Sequence, residues 1–212
     1  MMLQRILFVG AHHDDLVLGM GGSVKRWTME GKKVFAATLT NSQWSAPGGK
    51  VFRDQARVIA ECGRSAALLG FEPFHLDLSG ANDIRFADAH VVKVLDLVSR
   101  LEIDTLVTIW EHDAHPAHQA TSAIAMAATR KVPNVLTVRL SWNTSSHAWK
   151  PNFFVDVTAT LEHRIAALQC YQSEWDRTGA QWEQYIRSTA ALYGLECGCK
   201  AAEGFSVIKL RM

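Results

Sequence analysis

Short runs of β-branched and aromatic residues alternate along this chain with longer helix-compatible stretches, and that alternation restricts the fold more than any other feature. Strands are expected at residues 5–10, 33–40, 74–78, 105–110, 135–140, 152–157 and 205–210. Helices are expected at 19–30, 51–69, 87–101, 115–130, 161–172 and 180–195. Gly31 and Gly70 are natural stops for the first two helices, and Pro116 stands in a first turn, where a missing N–H costs little. On the third helix Val91, Val92, Val94, Leu95 and Val98 are read as the apolar face. Strands joined through helices by short links imply a mostly parallel sheet covered on both faces. Right-handed crossovers then give a Rossmann-like, doubly wound α/β fold with the first five strands ordered 3-2-1-4-5. With no linker and no internal repeat, residues 1–212 are read as one domain. The two helices after Thr158 are read as a cap or as a contact between subunits of a homo-oligomer.

Charge narrows the partners. Twenty-two Lys and Arg against 21 Asp and Glu leave a formal charge of +1, without the concentrated basic surface that a nucleic-acid or anionic-membrane binder needs. No apolar run reaches the roughly 18 residues of a membrane-spanning helix. The first nine residues lack the apolar core of a secretory signal, so a cytoplasmic location is expected. Cys62, Cys170, Cys197 and Cys199 show no CxxC spacing and are read as reduced thiols.

Two short clusters concentrate the chemistry. Ala11-His12-His13-Asp14-Asp15 follows the first strand directly, and His112-Asp113-Ala114-His115-Pro116-Ala117-His118 follows the fourth. In the order 3-2-1-4-5 those strands are neighbours at the topological switch point, where ligands bind outside the carboxyl ends. Two imidazoles and one carboxylate around a cation, from His12, Asp15 and His118, suit zinc with a position left open for water. His115 and His118 share one face of a first helical turn, whose dipole disfavours a charged imidazole. Asp14 is the adjacent carboxylate able to take a proton from water. The plainer alternative stands beside this one: an Asp pair ahead of a helix also serves as an N-cap, and a loop histidine is usually a satisfied polar group. His13 and His112 are read as bystanders.

Gly19, Gly21 and Gly22 do not directly follow the strand as a dinucleotide fingerprint requires, so they are read as allowing close helix-to-sheet packing. No GxSxG stretch supports a serine nucleophile. Trp44, in the expected loop 41–50, and Trp142 and Trp149, after the fifth strand, are candidates to stack on a sugar; loop packing is the alternative. Arg53 and Arg57 are candidates to hold an anionic group; exposed helix arginines are the alternative.

Ala11-His12-His13-Asp14-Asp15, the glycines at 19, 21 and 22, and His115-Pro116-Ala117-His118 together resemble the motifs of the PIG-L/LmbE family of zinc-dependent N-deacetylases. Val155-Asp156-Val157-Thr158 and Ala202-Glu203-Gly204-Phe205 resemble its later motifs. The resemblance implies a zinc ion, or another divalent ion, on His12, Asp15 and His118, with Asp14 as general base. It implies that His115 stabilises the oxyanion or protonates the leaving amine. The implied reaction is hydrolysis of an N-acetyl or related N-acyl group on an amino sugar or its conjugate. Three positions depart from the family pattern: His13 replaces Pro, Leu16 a frequent Glu, and Ala117 the Asp that orients the histidine at position 115. The departures at Leu16 and Ala117 leave open a family member that binds zinc or a glycoconjugate without turnover. A zinc amidase acting on a non-sugar substrate and a nucleotide-binding module are further alternatives.

Overall fold

The computed structural model describes residues 3–45, 48–49 and 51–211. In chain order the first half comprises β1 (Arg5–Gly10), α1 (Asp15–Met29), β2 (Lys33–Thr40), β3 (Trp44–Ser45), β4 (Val51–Arg53), α2 (Gln55–Leu69), β5 (Glu72–Ser79) and α3 (Asp88–Arg100). The second half comprises β6 (Thr105–Ile109), α4 (Pro116–Ala127), β7 (Asn134–Val138), β8 (Phe153–Asp156), α5 (Leu161–Gln169), α6 (Gln172–Thr178), α7 (Gln181–Cys197) and β9 (Ala202–Lys209).

Seven strands form one sheet in the order β5-β2-β1-β6-β7-β9-β8. The first five run parallel, in the 3-2-1-4-5 order expected of them; β9 lies antiparallel to β7, and β8 antiparallel to β9. Central strands covered on both faces read as near-continuous apolar runs, and Ile6 to Gly10 of β1 and all of β6 are buried. Helices α1, α2 and α5 pack against one another, and α3 packs against α4. The register pairs Phe8 with Ala36 on one side and Val107 on the other. From β1 the chain crosses to β2, and from β6 it crosses the other way to β7, so the loops after β1 and β6 diverge and leave a crevice. No helix among the described residues is long and apolar enough to cross a membrane.

Several boundaries differ from the sequence reading. Residues 51–53 are not helical: they pair with Trp44 and Ser45 in a small antiparallel ribbon, and α2 starts only after Asp54, whose carboxylate accepts the Arg57 N–H at 2.8 Å. Of the expected loop 41–50, residues 46, 47 and 50 lie outside the described residues. On α3 the buried stripe is Val94, Leu97 and Val98, whereas Val92 and Leu95 face outward. Three helices rather than two follow Thr158, because the chain breaks at Cys170 and Tyr171.

Helix α1 starts earlier than expected and contains a break at Met20 (φ −150°, ψ 25°). The break is tight because α1 presses on its neighbours without side chains in between. A Cβ on Gly19 would lie 2.6 Å from Leu140, and one on Gly22 would lie 3.0 Å from Val157. A broken helix frees carbonyls before the break and N–H groups after it. Arg164 donates to the Val17 and Leu18 carbonyls, and the Glu203 carboxylate accepts from Gly22 N–H at 2.9 Å and Ser23 N–H at 2.7 Å. The two side chains pair with each other at 2.8 Å, and both are buried.

Candidate metal centre

The loop after β1 is shaped by one carboxylate. Asp15 Oδ2 accepts the main-chain N–H of Ala11 and of His12, each at 2.8 Å, which turns its Oδ1 toward the His12 ring. Asp14 occupies the N-cap position of α1, yet its side chain caps nothing. It turns instead to Arg53, whose Nη2 donates to its Oδ2 at 2.9 Å. The loop after β6 is ordered in a parallel way: Asp113 Oδ1 accepts the His115 N–H at 2.8 Å and stands 3.0 Å from Nδ1 of His118, in the first turn of α4.

The two loops bring three ligand atoms together. His118 Nε2 lies 3.3 Å from His12 Nδ1 and 3.4 Å from Asp15 Oδ1, and those last two are 3.5 Å apart. A tetrahedral ion about 2.0–2.1 Å from each ligand separates its ligands by about 3.3 Å, so the triangle has the size of a zinc site. Every ligand is also held from behind. His12 Nε2 meets the Ala81 carbonyl at 3.0 Å, which leaves Nδ1 free to face the centre; Asp113 backs His118, and two N–H groups back Asp15. Among the described residues this is the one group of three such side chains able to hold a metal.

The electrostatics suit a cation. Burial pushes the Asp15 carboxyl up, but His118 and His12 outweigh it and hold it well below the usual carboxylate range. Burial works against charge on His118, but the Asp15 and Asp113 carboxylates hold its pKa up to about 10. That reverses the helix-dipole expectation of a neutral ring at this position: two carboxylates outweigh one helix terminus, and their field calls for a proton or a metal ion. For Asp14, burial is again opposed, this time chiefly by the Arg53 guanidinium, and the balance lowers its pKa.

His115 is a different kind of histidine. It is the N-cap of α4, and its Nδ1 accepts the Ala117 N–H at 3.2 Å, so Nε2 carries the ring proton. Burial first, then His118 and His12, lower its pKa to about 4. Its ring sits 4.6 Å from that of His118 and 5.2 Å from that of His12. Asp113 does not substitute for the orienting carboxylate missing at Ala117, because it bonds the His115 main chain and faces the His118 ring.

A cavity of about 320 Å³ opens over the centre, and His12, Asp14, Asp15, His115 and His118 all line it. Of the candidate substrate contacts, Trp44 lines it too, its ring 4.8 Å from that of Phe52. Arg53 also lines it, from β4 rather than from an exposed helix; it is buried and bridges Asp14 and Glu174, with Nε on Ser173 at 3.1 Å. Arg57 is placed outside this lining, on the surface, paired with Glu61 and Asp176. Trp142 stands behind the wall, its ring 4.2 Å from Trp182, which does line the cavity. Trp149 hydrogen-bonds Tyr193. His13 is buried against Ser42 and His75, and His112 stacks on His147, both apart from the ligand triangle. Sequence reasoning missed Ser173, Glu174, Arg177 and Trp182, which α6 and the start of α7 bring to the cavity. No motif marks them: they fall between and at the start of the two helices read as a cap or a subunit contact.

The family model described as PIG-L, GlcNAc-PI de-N-acetylase, matches residues 7–129, the part that holds both clusters. Diacetylchitobiose deacetylase of Thermococcus kodakarensis is 26% identical over 224 aligned positions, covering 97% of this chain and 84% of that protein. A probable N-acetyl-alpha-D-glucosaminyl L-malate deacetylase 2 of Bacillus cereus is 23% identical, covering 82% of this chain and 84% of that one. Among solved structures, N,N'-diacetylchitobiose deacetylase from Pyrococcus horikoshii shares the fold with a TM-score of 0.83 at 20% identity, covering 97% of this chain and 84% of that one.

Proposed function

The chain belongs to the PIG-L family, and from that premise we propose that it is a zinc-dependent hydrolase removing an N-acetyl or related N-acyl group from an amino sugar or amino-sugar conjugate. The observation that carries this reading is the convergence of three ligand atoms, each backed from behind, beside a carboxylate that is not one of them. His12, Asp15 and His118 would hold the zinc, which would supply Lewis-acid polarisation and a water acidified toward neutrality.

The remaining work falls to the chain's own side chains. Asp14 takes the proton of the attacking water, and Arg53 keeps that carboxylate ionised and aimed. His115, neutral with its proton on Nε2, donates to the oxyanion or to the departing nitrogen. An N–H donor without a carboxylate behind it remains a hydrogen-bond donor, so the departure at Ala117 alters its basicity rather than its direction. Trp44 offers a flat apolar wall for a sugar ring. The same missing carboxylate favours a second reading, a family member that binds metal and sugar without turnover.

Metal content measured by elemental analysis, followed by acetate release from a panel of N-acetylated mono- and disaccharides, decides between them. Acetate release that depends on bound metal is the expected result. A metal-replete protein that releases none from any member favours the binder, or the amidase with a non-sugar substrate, which N-acyl peptides would reveal.

A further inference from the structure

Outside the cavity lining, α7 ends in Cys197-Gly198-Cys199, and the function above uses none of these residues. Gly198 adopts φ +79°, the left-handed conformation that closes a helix, and the Cys199 N–H reaches back to the Gly194 carbonyl at 2.9 Å. The turn folds so closely onto the helix that a Cβ on Gly194 would lie 2.8 Å from the Cys199 carbonyl oxygen. This packing puts both thiols on one side of the turn, with Sγ 3.5 Å from Sγ. Cys197 is exposed and Cys199 half-buried; Cys62 is buried and belongs to the core.

We propose that Cys197 and Cys199 form a redox-active dithiol that closes into an intramolecular disulfide by exchange with a small-molecule disulfide. The exposed Cys197 sulfur, as thiolate, attacks one sulfur of that disulfide and expels the other half as a thiolate. Cys199 then loses its proton, attacks the Cys197 sulfur and expels the second half. Two electrons and two protons pass to the reagent, which leaves as two thiols. Cys199 is the slower partner to ionise, because burial pushes its pKa up to about 11 and Asp156 adds to the effect; this assigns it the second, intramolecular attack, where proximity compensates.

The size of the ring distinguishes this pair from a structural staple. Chain-entropy stabilisation grows with the loop closed, and one intervening residue closes almost none. Exposed disulfides in small, strained rings sit among the labile, easily reduced ones. Closure also reaches the fold, because Cys199 Sγ contacts the Ala201 carbonyl at 3.3 Å and β9 begins at the next residue. The strand so anchored carries Glu203, which caps the broken α1.

The full chain, reduced and then incubated with glutathione disulfide, is expected to lose the mass of two hydrogens. Non-reducing peptide mapping should place the link between Cys197 and Cys199, and dithiothreitol should restore both thiols. In Cys199→Ser the mixed glutathione disulfide on Cys197 should become the end product instead of a transient. A native chain that stops at the mixed disulfide, links either cysteine to Cys170, or leaves both thiols free for alkylation overturns the proposal. So does a Cys199→Ser variant whose products match the native ones.

Discussion

Two buried clusters of charge lie on α1, one at its first residues and one at its break, and they are built differently. At the break the arginine and the glutamate are satisfied within the fold: Arg164 reaches two carbonyls and Glu203, and Glu203 reaches two N–H groups. At the start of the helix, Asp15, His12 and His118 are each held from one side, and each leaves one lone pair aimed at a shared point. Buried charge is costly unless it is paired and hydrogen-bonded. A closed cluster returns that cost as backbone geometry, whereas an open one keeps a valence for a ligand. The difference can be read from the hydrogen bonds without reference to any substrate.

The largest expected effect comes from removing one corner of the open cluster. His118→Ala should leave Asp15 and Asp113 facing each other without a counter-charge, bind no stoichiometric metal and show only background turnover. Elemental analysis of the folded variant is the check, and a full complement of zinc would mean that His118 is not a ligand. Next comes Asp14→Asn, which keeps all three ligands. Metal content should stay at the native level while kcat falls by roughly 10²- to 10⁴-fold, the range for a lost general base. Equal losses of metal and turnover would make Asp14 part of the metal's support rather than the base.

The closed cluster should respond in the opposite sense. Glu203→Ala strands Arg164 in a buried position and uncaps the second half of α1, so a loss of about 3–5 kcal/mol is expected. Urea unfolding measures it, and the fraction that remains folded should still bind metal in native proportion. A variant of native stability that loses its metal would erase the distinction between the two clusters.

Legibility in the sequence followed the same division. The parallel order and the meeting of the two histidine clusters were readable because local periodicity and the handedness of crossovers leave few alternatives. His12 and Asp15 were readable because they follow the end of β1 directly, and His118 because it stands in the first turn of the helix that follows β6. Arg53 was located but assigned to the wrong element: Val51 and Phe52 look like the first turn of a long helix until Asp54 is recognised as its cap. Glu174 and Trp182 were not legible at all. They reach the cavity through the packing of α5 on α1 and α2, which carries α6 over the site, and no local pattern encodes that placement. The break in α1 was hidden for the same reason, since the partners that stabilise it lie more than a hundred residues away.

Smaller effects test how far the open site extends. Trp44→Ala removes a cavity wall without touching the ligands, so KM should rise by about 2- to 10-fold, equivalent to roughly 0.5–1.5 kcal/mol of aromatic contact. Its kcat should stay near native in steady-state assays; a fall in kcat alone would move Trp44 from substrate contact to support of the ribbon it shares with Phe52.

Arg57 marks the outer limit of the site. It comes from the same stretch as Arg53 and differs in exposure: its guanidinium pairs with Glu61 and with the exposed Asp176, outside the cavity lining. In Arg57→Ala the buried Glu61 loses its guanidinium partner but keeps both of its bonds to Ser173. The exposed Asp176 pair contributes about 0–1 kcal/mol and the bond to Glu61 about 0.5–1.5 kcal/mol, and the unfolding midpoint should shift by no more than the two together imply. Metal content and both kinetic constants should match the native protein. A selective rise in KM for an acidic substrate would instead show that the loops rearrange to bring this arginine inward, and the site would then be larger than its lining indicates.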